Sequence, residues 1–274
     1  MTSPVSSTLM ALVALGCTAF AAPASAAILL DYSGGTVVAS PTTGPGNKDD
    51  GVIFSSHNLQ GDFFGEELFI PFPTISINGH IYFGNGDGEG DYLLRPLGDT
   101  PPFGPSGITR IAPMWADFNL GTNGRIIEDS GSGYYAVTWL NMETSLHPGY
   151  FANFQAIFIE SATTLAGINF NAGDIVFSYG DIGIYQEILE VIVGLEESSG
   201  GVAAIPGHQG EGGWHSHATT GDFGVGSDEY VLFRPDGAGA YNSSIVQVPE
   251  PSALAVAAGA VLLAGLRRKR TESV

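Results

Sequence analysis

The sequence predicts an all-β protein built around a single sandwich-like domain. Short runs rich in Val, Ile, Phe, Tyr, Thr and Trp recur between clusters of Gly, Pro, Asn and Asp, as in strands joined by turns. No long stretch has the periodicity of an amphipathic helix. The spacing of the runs is typical of a sandwich, so we expect packed antiparallel sheets.

Ten segments are candidate strands. Residues 155–159 and 175–177 are predominantly apolar, which predicts strands buried on both faces. Residues 187–193 fit either a strand or one or two helical turns. Asn78-Gly79 favours a hairpin turn, because both residues tolerate a positive φ. In chain order the candidate strands are residues 51–54, 67–70, 74–83, 108–115, 125–128, 134–140, 153–160, 174–179, 190–195 and 229–234.

Three side chains near these strands have expected roles in the fold. Trp115 and Trp139 are predicted core residues, each burying on the order of 200 Å² while its indole N–H finds a partner. Asp117 is expected to accept hydrogen bonds from a following loop, with cation binding as the alternative.

Residues 1–26 are predicted to be a signal peptide. An apolar run at 9–22 is followed by Ala24 and Ala26, which fit the small-x-small pattern that signal peptidase cleaves. The residues before the run include no Lys or Arg, so the usual positive region is missing. Lipidation of Cys17 is the alternative form of processing.

Residues 248–274 form a tag with three parts. A Pro249-Glu250-Pro251 tripeptide comes first, and the apolar stretch 253–266 follows it. At about 1.5 Å per residue this stretch gives a short apolar helix of roughly 21 Å, whereas a membrane span needs about 20 residues. The last part is a cluster of four cations, Arg267, Arg268, Lys269 and Arg270, which favours a cytoplasmic end and an exported body.

The tag resembles the PEP-CTERM sorting signal of Gram-negative bacteria. The resemblance implies recognition by an exosortase, cleavage near the tripeptide and delivery to the cell surface or extracellular matrix. Membrane association through the apolar helix would then be transient and at the inner membrane. An ordinary single-span tail anchor is the alternative.

The body between the two ends, residues 27–248, is strongly acidic. It contains five basic residues and 26 carboxylates, which give a net charge of −21. This charge excludes nucleic acid as a partner and repels anionic polymers. The body contains no cysteine, so stability has to come from packing. We expect an N-terminal segment and linker at 27–45, the β domain at 46–236 and a second linker at 237–247.

Several segments of the body resemble the extracellular nidogen-like domain, NIDO, in the order that the family has them. The resemblance implies adhesion or matrix assembly, through polysaccharide or matrix proteins, and supplies no catalytic residues. The matching segments are residues 47–51, 61–65, 75–83, 111–117, 136–139, 153–156 and 174–180, followed by 193–195.

The Gly-rich acidic loop at 84–91 is interpreted as a solvated hairpin tip, and calcium binding is the alternative hypothesis. Oxygen-bearing side chains alternate there with glycine, which would let the backbone curl around a hard cation. The loop is not an EF-hand. The candidate ligands are Asn85, Asp87, Glu89 and Asp91.

Two further groups of residues are weaker candidates. His208, His215 and His217 lie within ten residues and have side chains that bind zinc or copper, but their spacing matches no recognised site. The loop aromatics Tyr150, Phe151 and Trp214 have rings that stack on sugars.

The sequence favours a non-catalytic role. It has no Gly-x-Ser-x-Gly elbow, no His-Glu-x-x-His and no phosphate-binding Gly-x-x-x-x-Gly-Lys. We therefore expect an exported surface or matrix protein that acts in adhesion or polysaccharide association and needs no cofactor, unless the loop at 84–91 binds calcium. The alternatives are a calcium-stabilised carbohydrate-binding module and a secreted hydrolase.

Overall fold

Antiparallel β-strands supply all the regular structure in the described part of the chain. The computed structural model describes residues 29–43, 48–65, 72–83, 109–145, 147–182, 190–196, 202–204, 214–216 and 229–248. These residues belong to one compact unit, Ala26–Val248. Seventeen strands and no helix occur in these ranges, which confirms the predicted all-β class.

The strands alternate with turns along the whole described chain. In order they are β1 Thr36–Ala39, β2 Val52–Phe54, β3 Thr74–Ser76, β4 Ile81–Phe83, β5 Thr109–Trp115, β6 Phe118–Asn119, β7 Arg125–Gly131, β8 Tyr134–Thr144, β9 His147–Ile159, β10 Thr163–Leu165, β11 Ile168–Phe170, β12 Ile175–Ile182, β13 Glu190–Glu196, β14 Val202–Ala204, β15 Trp214–Ser216, β16 Glu229–Pro235 and β17 Tyr241–Gln247.

These strands form two sheets and a separate hairpin. The eight-stranded sheet has the order β1-β7-β8-β9-β12-β16-β17, with β6 beside one end of β8. The seven-stranded sheet has the order β14-β13-β5-β4-β3-β2, with β15 also paired to β13. Strands β10 and β11 form the hairpin.

The main core lies where the two sheets face each other. It takes Ile75, Ile81 and Met114 from the seven-stranded sheet and Trp139 and Phe154 from the eight-stranded sheet, all fully buried. The rings of Trp139 and Phe154 stack with centroids 5.1 Å apart. The Trp139 indole donates a hydrogen bond to the Ser76 carbonyl, 2.9 Å away, and so ties the two sheets together. The predicted core position of Trp139 and a partner for its N–H are both confirmed.

A second core covers the other face of the eight-stranded sheet. Ile157 and Val176 point into it, and the hairpin contributes Leu165 and Phe170. Since Ala156, on the same strand as Ile157, points into the main core, the central strands are buried on both faces. This confirms the prediction from the apolar runs at 155–159 and 175–177.

Trp115 is buried on the outer face of the seven-stranded sheet, not between the sheets. It packs with Ala112 and Ile192, and the Arg110 guanidinium lies 4.3 Å from the centre of its ring. The same guanidinium is 3.6 Å from a Glu196 carboxylate oxygen. The prediction that Trp115 is a core residue is confirmed.

Nine of the ten candidate strands overlap described strands, with 74–83 divided into β3 and β4, whereas β6, β10, β11, β14 and β15 were not predicted. Both predicted linkers need correction. Residues 36–39, within the first linker, form β1 and pair with β7, while residues 241–247, within the second, pair with β16 over seven positions. Both are edge strands with few large apolar residues, so their sequences lack the pattern that predicts a buried strand. They are strands because they hydrogen-bond to a neighbouring strand. Residues 190–196 form strand β13, which removes the helical alternative over most of 187–193. The candidate strand at 67–70 lies outside the described residues.

The turn between β3 and β4 requires glycine at residue 79. Gly79 has a φ of 77°, and a Cβ atom placed on it would lie 2.1 Å from the Met114 carbonyl oxygen. Its neighbour Asn78 is fully buried. The predicted Asn-Gly hairpin turn is therefore confirmed, and the turn is packed beneath strand β5.

Replacing this glycine tests the packing of the turn. We expect Gly79→Ala to lose about 1–2 kcal/mol from the positive φ and about 1–3 kcal/mol more from the overlap with strand β5. Gly237→Ala is the matched control, because Gly237 has a φ of 80° and nothing within 4 Å of the added Cβ. Chemical denaturation of both variants measures the difference. Equal losses would mean that the close approach to Met114 carries no energetic weight.

Candidate functional site

Four segments that are distant in sequence meet at one acidic corner of the fold. Asp49 and Asp50 precede β2, Asp117 lies between β5 and β6, Asn78 lies in the β3–β4 turn, and Ser145 follows β8. We call these five residues the acidic corner. All but Ser145 belong to the segments that resemble NIDO.

Asn78 organises the acidic corner through both ends of its side chain. Its Nδ2 donates to Asp50 Oδ1 at 3.2 Å, and its Oδ1 accepts a hydrogen bond from the Phe118 backbone N–H at 2.8 Å. The backbone carbonyl of Asn78 also accepts from the Ala116 N–H at 3.2 Å. The asparagine therefore fixes the acidic segment before β2 against the chain that carries Asp117.

Ser145 closes the other side of the acidic corner. Its backbone N–H donates to the Asp117 carbonyl at 3.1 Å, and its hydroxyl donates to Asp49 Oδ1. Asn119 Nδ2 lies 3.4 Å from the Ser145 oxygen. The end of β8 is in this way tied to both acidic segments.

The environment of Asp117 disfavours its charge. Partial burial raises the pKa of this carboxyl, a hydrogen bond from Ser145 lowers it, and the nearby charges of Asp49 and Asp50 raise it further. The net result is a pKa above the ordinary value of an aspartate.

The acidic corner has the oxygen atoms that a hard cation prefers, but its described geometry is that of a hydrogen-bonded junction. Within the described ranges, no group of three or more His, Cys, Asp or Glu side chains is arranged to hold a metal ion. The Asp117 backbone carbonyl accepts from the loop after β8, and the two roles predicted for the Asp117 carboxylate stay predictions.

A second polar cluster, which the sequence analysis missed, lies where the chain leaves β2. We call Ser55, His57, Glu128, Tyr135 and Glu160 the tyrosine cluster. His57 Nε2 and Glu160 Oε1 are 2.8 Å apart, and the imidazole stacks on the Tyr135 ring with centroids 4.3 Å apart. The Tyr135 hydroxyl donates to Glu128 and is also 3.2 Å from Ser55 Oγ. The cluster fastens the loop after β2 to strands of the eight-stranded sheet.

Tyr135 is kept neutral by its surroundings. Burial raises the pKa of the phenol, and the charge and hydrogen bond of Glu128 raise it further. The hydroxyl therefore acts as a hydrogen-bond donor. No sequence signal pointed to this cluster, because His57 and Glu160 are separated by 103 residues and match no motif.

Most of the predicted site residues lie outside the described part of the chain. This holds for the calcium loop with Asn85, Asp87, Glu89 and Asp91, for His208 and His217, for Cys17, and for the processing residues Ala24, Ala26, Pro249, Glu250, Pro251, Arg267, Arg268, Lys269 and Arg270. The backbone of His215 lies on β15, opposite Val191. None of the described residues forms a helix with the length and apolar character to cross a membrane.

Of the predicted sugar-stacking aromatics, Tyr150 is exposed and Phe151 is half-buried, both on β9.

Comparisons of the chain with models of protein families, with curated proteins and with solved structures found no match.

Removing one carboxylate should relieve the repulsion at the acidic corner. An acid whose pKa is higher in the folded state binds its proton more tightly there, so its contribution to stability is present below the unfolded pKa and is lost as pH rises through the folded pKa. We therefore expect Asp117→Asn to melt above the wild type at pH 7. This advantage should fade as the pH falls toward about 3.9, the ordinary pKa of Asp.

Melting temperatures measured from pH 3 to pH 8 test this expectation. Asp181→Asn removes an exposed carboxylate on β12 and is the control for net charge. If both variants shift the melting temperature equally at every pH, the shifted pKa of Asp117 plays no part.

The tyrosine cluster is tested by removing its central hydroxyl. We expect Tyr135→Phe to lose about 1–3 kcal/mol of unfolding free energy, because Glu128 and Ser55 lose a buried partner. The control is Tyr134→Phe on the same strand, where the hydroxyl donates to Asp129 at 3.0 Å but is only half-buried. Urea denaturation should give a smaller loss for the control. The reverse order would show that the cluster does not stabilise the fold.

Proposed function

We propose that this chain is an exported bacterial protein, processed by an exosortase, that works at the cell surface or in the extracellular matrix. The observation that carries the proposal is the three-part C-terminal tag, in which the Pro249-Glu250-Pro251 tripeptide, the apolar stretch and the four cations follow in order. On this proposal signal peptidase and exosortase are the processing partners, and the membrane association of the tail is transient.

The position of the last strand supports this proposal. Strand β17 ends at Gln247, two residues before the tripeptide, and pairs with β16 along its whole length. Cleavage near the tripeptide would therefore leave every described strand intact. The compact unit Ala26–Val248 also matches the predicted mature body to within one residue at its start.

The body is proposed to act by adhesion or polysaccharide association and not by catalysis. Resemblance of its segments to NIDO supports this role. So does the arrangement of its polar clusters: the acidic corner and the tyrosine cluster join loops to strands through hydrogen bonds. A closed two-sheet core with fixed loops is suited to presenting a surface to an extracellular polymer.

Intact mass of the protein recovered from the surface and medium of the producing cells tests the processing. We expect a chain that starts at Ala27 and ends near Pro251, because each end carries its own cleavage pattern. Glu250→Ala should retain the tail, whereas Glu272→Ala, beyond the cations, should be processed normally. A wild-type mass that includes residues 267–274 would contradict exosortase processing and would favour a permanent tail anchor.

A further inference from the structure

Phe54 is unusually exposed for a large apolar side chain. It is 74% exposed at the end of β2, and Phe72, just before β3, is 46% exposed. Most other phenylalanines of the described residues are buried in the two cores. Two exposed rings in a well-packed fold call for a functional explanation.

The strand register places these two rings side by side. Phe54 pairs with Thr74 across β2 and β3, and the Ser55 N–H donates to the Pro73 carbonyl at 3.0 Å, which continues the pairing by one residue. Phe72 is therefore a diagonal neighbour of Phe54, at about 7–8 Å between Cα atoms and within reach of an aromatic side chain.

Both rings belong to the outer face of the seven-stranded sheet. Ile53 and Ile75 point into the main core, so residues 54, 72 and 74 point away from it. We call Phe54 and Phe72 the aromatic platform.

The backbone that carries the aromatic platform is fixed. Ile53 packs in the main core, and Ser55 Oγ accepts from the His57 N–H at 3.0 Å while contacting Tyr135. Pro73 restricts the residue before it, Phe72, to an extended conformation. A ligand that stacks on the platform would thus pay little conformational entropy for ordering it.

The row of side chains next to the platform carries no net charge. The row consists of residues that lie directly opposite one another on five neighbouring strands. In order across the sheet they are Phe54, Thr74, Tyr82, Arg110 and Glu196. Thr74 and Tyr82 are uncharged, and the charges of Arg110 and Glu196 face each other at 3.6 Å. The platform therefore lies at the uncharged end of this row.

We propose that the aromatic platform binds the sugar rings of a neutral polysaccharide. The C–H faces of a sugar ring are apolar and can pack on an aromatic face, which removes apolar surface from water. The mature body carries a net charge of −21, so a second copy of the chain, an anionic polymer or an anionic membrane would approach against electrostatic repulsion. A neutral glycan meets no such repulsion.

The inference rests on the proposed role in polysaccharide association and deepens it by naming the class of polymer. Affinity electrophoresis of the processed protein isolated from the producing cells tests it, in gels containing hydroxyethylcellulose, dextran or galactomannan. Alginate serves as the anionic comparison. We expect retardation by at least one neutral polymer and none by alginate.

Phe54→Ser and Phe72→Ser should each weaken the retardation about tenfold, the effect of losing roughly 1.4 kcal/mol of stacking. Phe54→Trp should preserve it. Val37→Ser removes an exposed apolar side chain on β1, outside the platform, and is the control. All three wild-type side chains are exposed, and unchanged melting temperatures will show that the variants fold.

Three results would overturn the platform. They are no retardation by any neutral polymer, equal retardation of the wild type and both serine variants, or a dimer in light scattering that Phe54→Ser converts to monomer.

Co-fractionation with the polysaccharide of the producing cells distinguishes failure of the platform from failure of the proposed matrix role. If the wild type and Phe54→Ser co-fractionate equally, the proposed function stands and the platform fails. If retardation depends on Phe54 but the native protein never co-fractionates, the platform stands and the matrix role fails.

Discussion

Strand β9 lies between β8 and β12, and its side chains point alternately into two apolar cores. A strand with both faces apolar has to be covered on both sides, because each large side chain left in water forfeits about 1.5–3 kcal/mol. The seven-stranded sheet covers one face and the β10–β11 hairpin with Leu29 covers the other. The remaining architecture follows from this double burial.

Polar groups at the ends of the sandwich hold those covers in place. Trp139 joins the two sheets by donating to Ser76. The acidic corner fixes the segments that run from β1 to β2 and from β5 to β6, and the tyrosine cluster ties the loop after β2 to the eight-stranded sheet. Each group is partly or wholly removed from water and is compensated by a specific hydrogen bond. Directional bonds thus fix the relative position of layers that the non-directional hydrophobic effect only brings together.

The sequence predicted the elements whose pattern is local. The apolar composition of residues 155–159 and 175–177 predicted buried central strands. Asn78-Gly79 predicted a hairpin because both residues tolerate a positive φ. Strand β17, with sequence Tyr-Asn-Ser-Ser-Ile-Val-Gln, was predicted to be a linker because its sequence is mostly polar. Its extended conformation is held by pairing with β16, which a local sequence pattern does not show. The tyrosine cluster was unpredictable for the same reason, since its members meet only through tertiary packing. Asp117 was recognisable as a residue of interest, but its pKa is raised first by partial burial and then by the charges of Asp49 and Asp50, and both causes arise only in the folded chain.

Pairing of β17 also changes how the tag relates to the body. Residues 241–247 pair in the eight-stranded sheet, and Val248 packs against the second core. No free linker therefore separates the last strand from the tripeptide at 249–251. A protease that cuts near the tripeptide would have to work within a few residues of a folded sheet. The two prolines of the tripeptide disfavour a helical backbone, which suits a segment that a protease would have to bind in extended form. On the proposed processing, the boundary between the delivered part and the removed part of the chain would lie at the tripeptide, directly after the last strand.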